Sequence, residues 1–417
     1  VAADRGDPGG SSGIGKGKPM GIDEQATSQP PGAMRGAIVG TVALVTVFAA
    51  ASAPIPLYAT WQQQLGLTAS DVSMTIVMYL FGVLSVLFFA GSLSDASGRR
   101  PTAGAALACG VAGCLLFIGL SSGPMLQFAR FVQGVSCALS MSATSAFVID
   151  CTSERHRTFG MTIASTGYLI GLTVGSLGIG FFATVSTAYW QVFAVMAVIM
   201  LVTMLALPFT PETVHNRITW KKAVKPMTHV PAHLRKLLPI VAGGYISTWS
   251  VGFFFQSLST PASVDYFGAT DPLIPSLVLA LAMAPSALGG PVSARMGTRS
   301  SMIVGYIIMF GAIVALGVCM VLGLLVPYLV LEVVFAVTTG MILSSSLHML
   351  ISASTPQENA SVVTLANLTG YVGSTVVSTI QTGLTATFDL ATVYAFIALL
   401  AAISIVPGCI SMAKHQR

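Results

Sequence analysis

Residues 91–100 read Gly-Ser-Leu-Ser-Asp-Ala-Ser-Gly-Arg-Arg and lie between two long apolar runs. Residues 290–299 read Gly-Pro-Val-Ser-Ala-Arg-Met-Gly-Thr-Arg and occupy the same place between another such pair, 199 positions later. A polar string that recurs in this way indicates an internal repeat. Because each copy separates two apolar runs, the repeat predicts a membrane protein made of two related halves.

The composition supports a membrane-embedded chain. Of the 417 residues, 54% are hydrophobic and only 8% are charged, with a mean hydropathy of +0.82. Soluble domains contain about 25% charged residues, so most of this chain must face lipid or other buried helices. The net charge of +5 does not indicate nucleic-acid binding, because the basic residues lie in the loops between apolar runs.

Twelve apolar runs are long enough to cross a bilayer, since a hydrocarbon core of about 30 Å requires roughly 20 helical residues. The sequence therefore predicts an all-α membrane protein with these twelve transmembrane helices: 36–58, 71–93, 102–120, 124–149, 158–182, 189–208, 238–259, 272–292, 301–323, 326–350, 360–384 and 390–412. The predicted organisation is a disordered cytoplasmic tail (1–35), a six-helix half (36–208), a cytoplasmic linker loop (209–237), a second six-helix half (238–412) and a short cytoplasmic tail (413–417).

The basic residues predict the orientation. Of the 19 Lys and Arg residues, 18 lie in the two tails and in the loops on one side of the predicted helices. Lys and Arg are enriched on the cytoplasmic side. We therefore expect a multi-pass protein of the plasma membrane with both termini in the cytoplasm. The remaining cation, Arg130, lies inside an apolar run.

Two motifs resemble a known family. The string at 91–100 is similar to the loop motif between the second and third helices of the major facilitator superfamily. Arg130-Phe-Val-Gln-Gly134 is similar to the fourth-helix motif of its proton-coupled members. The resemblance covers residues 36–412, and the pattern is most similar to the twelve-helix drug:H⁺ antiporters. It implies a monomer in the lipid bilayer that moves a small molecule and protons, without a cofactor or a metal.

The resemblance also implies a cytoplasmic latch. In the family, the loop-motif Asp interacts with the start of the eleventh helix, and the motif Arg pairs with an acid at the end of the fourth. The corresponding residues here are Gly91, Asp95, Gly98, Arg99 and Asp150. These contacts would hold the cytoplasmic side closed and would break when the protein opens inward. The alternative is an ordinary solvated turn.

The fifth predicted helix contains glycines at positions 167, 171 and 175. Small residues four apart allow two helix backbones to approach closely. The antiporters carry a related motif in this helix, but Ser176 stands where they have Pro. The strip therefore predicts close packing, with a role in coupling as the second interpretation.

Polar and aromatic residues form stripes on several helices. In family members the first, fourth, seventh and tenth helices line a central cavity, and at 100° per residue the stripes of the fourth, seventh and tenth helices here each lie on one face. The eleventh helix carries a further stripe. The predicted cavity residues are Gln133, Tyr245, Trp249, Gln256, Thr339, Asn367 and Tyr371.

Arg130 and Glu332 are the predicted proton-coupling residues. A charge inside a membrane costs at least about 2.5 kcal/mol and usually serves a function. Glu332 is the acid well inside a predicted helix, and the repeat places it at a depth similar to that of Arg130. Glu332 is the predicted proton carrier. The alternatives are that Arg130 reaches the outer interface and that Glu332 lies in a wet vestibule.

These features predict a proton-coupled exporter of a small amphipathic compound that works by alternating access. The second candidate is proton-coupled uptake of a small metabolite. A membrane enzyme is not favoured, because the run Ser344–Ser346 with His348 has no buried acid partner in view. A channel is not favoured either, because the sequence contains no charged ring or carbonyl filter.

Overall fold

The computed structural model contains helices and no strands in the residues it describes, which are 32–153, 156–214, 234–235, 237–269, 271–354 and 359–414. The first half contains α1 (Ala33–Leu65), α2 (Ala69–Ser97), α3 (Arg99–Ile118), α4 (Gly123–Asp150), α5 (Arg157–Ala183) and α6 (Trp190–Ala206). The second contains α7 (Leu238–Phe267), α8 (Leu273–Met296), α9 (Thr298–Val321), α10 (Leu325–Ala353), α11 (Asn359–Leu384) and α12 (Leu390–Lys414).

The predicted fold of twelve transmembrane helices is confirmed. Within the described residues, the ten helices from α1 to α10 are long and apolar enough to cross a bilayer, and α11 and α12 complete the twelve. Residues 1–31 of the predicted tail (1–35) and residues 215–233 of the predicted linker (209–237) lie outside the described residues. α1 begins at Ala33, three residues before the predicted start.

Outward-facing apolar side chains mark the surface that contacts lipid. On α6 the exposed residues recur every three or four positions, at Val195, Val198, Val202 and Leu205. α9 shows the same spacing at Ile303, Ile307, Phe310, Val314, Val318 and Val321. Positions three and four apart share one helix face, so each helix presents an apolar face to the bilayer.

The repeat is visible in the turns. Gly98 separates α2 from α3 with φ +106°, and Gly297 separates α8 from α9 with φ +79°. A residue with a side chain rarely adopts positive φ, so glycine is favoured at these abrupt breaks. We call the side of the bilayer next to these two turns the basic face, because Arg99, Arg100 and Arg295 lie there.

The two halves meet through equivalent helices. α2 packs against α11, and α5 packs against α8. Because the repeat relates α2 to α8 and α5 to α11, the two interfaces are symmetry-related. Proline interrupts α1 near its end, where Pro54 precedes a short 3-10 turn at Ile55–Leu57 and Pro56 lies within it. Pro285 does the same within α8, in the 3-10 turn Ala284–Leu288.

Hydroxyl hydrogen bonds join the halves on the face opposite the basic face. Ser70 Oγ donates to the carbonyl of Thr382 at 3.3 Å, and Thr385 Oγ1 lies 3.4 Å from Ser73 Oγ, so α2 and α11 are joined. Two further bonds run from Thr260 Oγ1 to the carbonyl of Ile55 at 2.7 Å and from Ser176 Oγ to the carbonyl of Ser276 at 3.1 Å. The halves are therefore closed against each other on that face.

The predicted glycine strip packs α5 against α1. A Cβ atom at Gly171 would lie 2.8 Å from the Cβ of Phe48, and one at Gly175 would collide with the carbonyl oxygen of Ala49. At Gly178, one turn further along α5, nothing lies within 4 Å of the corresponding position. The strip therefore permits a backbone-to-backbone contact that no larger residue allows.

Gly175→Ala is expected to destabilise the protein by about 1–3 kcal/mol, because overpacking forces the two backbones apart. The measurement is thermal unfolding of the purified protein in detergent. Gly178→Ala is the matched control on the same helix and should leave the unfolding temperature unchanged or slightly raised, since alanine favours helix. Equal effects of the two substitutions would contradict the packing explanation.

Candidate functional site

Arg130 on α4 binds α1 where Pro54 interrupts it. Its Nη1 donates to the carbonyl of Ala51 at 2.5 Å and to Oε1 of Gln133 at 2.8 Å. Gln133 Nε2 donates to the carbonyl of Ala50 at 2.6 Å. A helical carbonyl normally accepts from the N–H four residues later. Proline has no N–H, so the carbonyl of Ala50 is left for Gln133.

The environment of Arg130 is enclosed. Its side chain is 1% exposed and that of Gln133 is 2% exposed. The guanidinium carbon lies 4.7 Å from the ring centroid of Tyr79 on α2, within range of a cation–π contact. The Tyr79 hydroxyl also lies beside the thiol of Cys137, two turns further along α4. Arg130 is therefore held by three helices of the first half and does not reach water at the interface.

Glu332 on α10 occupies the equivalent depth in the second half. Arg130 lies seven residues after the start of α4 at Gly123, and Glu332 lies seven residues after the start of α10 at Leu325. Glu332 is 0% exposed. The hydroxyl of Tyr328 lies beside its carboxyl group, but neither carboxyl oxygen makes a well-formed hydrogen bond with a described residue.

Arg130 and Glu332 are equivalent in position and are not bonded to each other. The described residues form an ion pair between Arg99 and Asp150, and none involves Arg130 or Glu332. Arg130 faces α1 and α2, whereas Glu332 has Tyr328 and Tyr394 of its own half around it. The halves thus keep the two buried charged groups in separate surroundings.

An aromatic cluster lies at the interface of the halves. Trp249 is at its centre, with ring centroids 4.5 Å from Tyr371 and 5.6 Å from Tyr245. Phe253 joins it at 6.2 Å from Trp249. The Tyr371 hydroxyl donates to Sδ of Met141 on α4 at 3.7 Å, so the cluster spans from α7 and α11 to the first half.

The other predicted cavity residues are less connected. Gln256 is 9% exposed, while Thr339 and Asn367 are half-buried. None of the three forms a side-chain hydrogen bond with a described residue. The structure therefore joins Tyr245, Trp249 and Tyr371 in one cluster. Gln256, Thr339 and Asn367 have no side-chain hydrogen-bond partner among the described residues.

The predicted latch region lies on the basic face. Arg99 Nε is 3.5 Å from Oδ2 of Asp150, and Arg99 Nη1 donates to Ser94 Oγ at 2.8 Å. The pair is partly exposed, so it contributes little free energy as an isolated surface ion pair. Gly91 and the side chain of Asp95 lie outside the part of the structure that is described in detail.

Glu212, after α6, is the residue that sequence reasoning missed. Its Oε1 accepts from the backbone N–H of Arg99 at 2.9 Å and its Oε2 from that of Arg100 at 3.2 Å. The carboxylate therefore caps the start of α3, which has no side-chain cap of its own. Its neighbour Thr213 donates to Asp150 at 2.9 Å. The available signal was an acid beside the basic face, just after the sixth apolar run.

Glu212→Ala is expected to free the first turn of α3 and to reduce its local stability by about 0.5–2 kcal/mol, as loss of an N-cap does. Hydrogen–deuterium exchange over residues 98–104 measures the effect. Glu212→Gln should fall between wild type and Ala, because an amide oxygen accepts a hydrogen bond without the charge. Exchange at the start of α2, where Thr68 and Asp71 form their own capping box, serves as the internal reference and should not change.

These features define a class, the membrane transporters built from two repeated helical halves, here with a buried charged group in each half and an aromatic cluster at their interface. The family model of the Major Facilitator Superfamily matches residues 40–378. The chain therefore belongs to the Major Facilitator Superfamily, which confirms the predicted family.

Two kinds of relatives are similar to parts of the chain. The multidrug resistance protein MdtL of Klebsiella pneumoniae is 28% identical over 95 residues, which cover 23% of this chain and 24% of that protein. The class B tetracycline resistance protein of Escherichia coli is 25% identical over 244 residues, covering 56% of this chain and 60% of the relative. The alignments thus span about a quarter of the length of the multidrug resistance protein and about three-fifths of the length of the tetracycline resistance protein.

A solved structure shares the fold over almost the whole chain. A bacterial homologue of the human lysosomal transporter Spinster, solved in an inward-facing and unoccupied conformation, superposes with a TM-score of 0.67. The superposition covers 93% of this chain and 96% of that one at 14% identity. At this identity the likeness concerns the fold alone.

Proposed function

We propose that this transporter exports a small amphipathic organic compound in exchange for protons. The observation that carries the proposal is Glu332, a fully buried acid whose carboxyl oxygens lack well-formed hydrogen bonds. A buried carboxylate without partners is costly, whereas the neutral acid costs much less. A cycle that alternately buries and hydrates Glu332 would therefore bind and release a proton.

The proposed orientation places the basic face in the cytoplasm of the cell, with both termini there and the protein in the plasma membrane. The distribution of 18 of the 19 Lys and Arg residues on that face supports this orientation. We propose that the protein acts as a monomer, because each half completes the site with the other half of the same chain.

The proposed cycle is a rocking of the two halves. Hydroxyl hydrogen bonds join them on the face opposite the basic face. On the basic face, the ion pair of Arg99 with Asp150 and the cap of Glu212 hold the α2–α3 turn in a defined position. We propose that Asp95 and Arg99 in this turn act as a latch that opens and closes against the second half.

The aromatic cluster around Trp249 is the proposed contact for the apolar part of the substrate. Flat aromatic surfaces bind amphipathic molecules without a demanding shape. Relatives named for multidrug and tetracycline resistance are consistent with such a substrate. Arg130 supplies the fixed positive charge of the proposed site, and Glu332 supplies the proton.

The test is proton movement in everted membrane vesicles energised by respiration, whose interior is acidic. Adding tetracycline, or other amphipathic compounds from a panel, should release protons from vesicles that contain the transporter and not from vesicles that lack it. Movement of compound and proton in the same direction would instead indicate uptake by symport. No compound-dependent proton movement across the panel would reject proton coupling.

A further inference from the structure

Among the described residues, one edge of the Arg130 guanidinium has no hydrogen-bond partner. Both of its side-chain hydrogen bonds come from Nη1, to Ala51 and Gln133. Nε is buried without a hydrogen-bond partner, and none of the described residues bonds to Nη2. Within the same part of the chain, no carboxylate lies within ion-pair distance of this side chain. Among the described residues, the hydrogen-bond partners of this buried charge are thus carbonyl and amide oxygens alone.

The open edge has a specific chemical preference. Nε and Nη2 point in parallel, and this pair of donors matches the two oxygens of a carboxylate. Lysine offers no such pair, because its ammonium is a point charge. A buried arginine that uses Nη1 for the protein therefore presents its remaining two donors as a fork for an anionic group.

The protein also holds the fork in place. Ala51 and Gln133 fix Nη1, and the Tyr79 ring lies against the guanidinium at 4.7 Å. The carbonyl of Ala50, left free by Pro54, in turn fixes Gln133. Because these contacts restrict the side chain before a ligand arrives, binding costs less conformational entropy.

We propose that the Nε–Nη2 edge of Arg130 binds the carboxylate of an amphipathic organic anion. The inference rests on the proposed function in one respect, which is that the substrate passes along the interface of the two halves. Met141, which contacts Tyr371, lies eleven residues from Arg130 along α4, a rise of about 16 Å. In the proposed binding mode, the apolar body of the anion extends along α4 towards the aromatic cluster.

Three ligands of equal length test the charge preference: 6-phenylhexanoate, 6-phenylhexanamide and 6-phenylhexylamine. Equilibrium binding is measured by titration calorimetry on the full chain in lipid nanodiscs, with empty nanodiscs to subtract partitioning into lipid. The wild-type protein is expected to bind the carboxylate at least about tenfold more tightly than the amide, because the amide cannot form the charge-assisted bidentate pair. The amine should bind more weakly still. Equal binding of the amide or the amine, or no binding of the carboxylate, overturns the proposal without any variant.

Variants assign the preference to Arg130. Arg130→Gln should abolish the preference for the carboxylate, and Arg130→Lys should weaken it because the charge remains and the fork is lost. Arg100→Gln removes a cation of the basic face and should leave the preference intact. A preference that survives in Arg130→Gln contradicts the proposal. Binding is measured without a pH gradient, so it does not depend on proton coupling. If the wild-type protein prefers the carboxylate but shows no proton exchange, proton coupling is rejected and the anion site is supported.

Discussion

Glu332→Gln is expected to reduce compound-driven proton movement to the level of vesicles that lack the transporter. The glutamine side chain has the same size as that of glutamate and carries an amide in place of the acid, so it cannot bind or release a proton. The effect should be large because Glu332 is the only Asp or Glu among the buried residues in the described part of the chain. Proton flux in proteoliposomes with an imposed pH gradient is the measurement.

Two controls separate loss of coupling from loss of folding. Asp389→Asn changes an acid in the loop before α12, where Asp389 hydrogen-bonds to Thr392 at the surface, and should leave proton flux intact. Exchange of labelled compound for unlabelled compound needs no net proton movement, so Glu332→Gln should retain it. Proton flux that persists at the wild-type level in Glu332→Gln would reject Glu332 as the carrier.

The second large effect is expected from a disulfide across the closed face. In the variant Ser73→Cys/Thr385→Cys, oxidation should link α2 to α11 and stop nearly all transport until the bond is reduced. The two hydroxyl oxygens lie 3.4 Å apart, a separation compatible with the short reach of a disulfide. Rocking must separate these helices on this face, so a covalent bond between them stops the cycle.

The matched control is a second disulfide that does not cross between the halves. Ser293 on α8 and Ser345 on α10 have hydroxyl oxygens 2.6 Å apart within the second half. The oxidised variant Ser293→Cys/Ser345→Cys should transport as the reduced form does, because each half moves as one unit. Each single Cys variant should remain active in oxidant. Full transport by the oxidised Ser73/Thr385 variant would contradict a rocking mechanism about this interface.

The sequence predicted the helices well because the length and composition of each segment indicate that it crosses the bilayer. Twenty apolar residues in a row have to cross a bilayer, whatever the neighbouring helices are. The polar string at 91–100, together with its copy at 290–299, likewise indicated the repeat without any knowledge of packing. Arg130 and Glu332 stood out for the same reason, since a charged residue in an apolar run is unusual on its own.

The contacts of those residues depended on groups far away along the chain. The repeat placed Arg130 and Glu332 at similar depths, but it did not indicate that Arg130 bonds to Ala51 on α1 or that Glu332 lies beside Tyr328. Glu212 caps a helix that begins 113 residues earlier. No local pattern indicates which distant carbonyl or N–H a side chain will meet.

The sequence by itself thus determined the number of helices, the division into two halves and the depth of the two buried charged groups. These properties follow from the free energy of placing each segment in lipid, which depends mainly on local composition. Only the tertiary structure decided which edge of Arg130 is occupied and which is open. Hydrogen bonds have short range and strict geometry, and the occupied edge is the one that meets the carbonyl of Ala51 and the amide oxygen of Gln133.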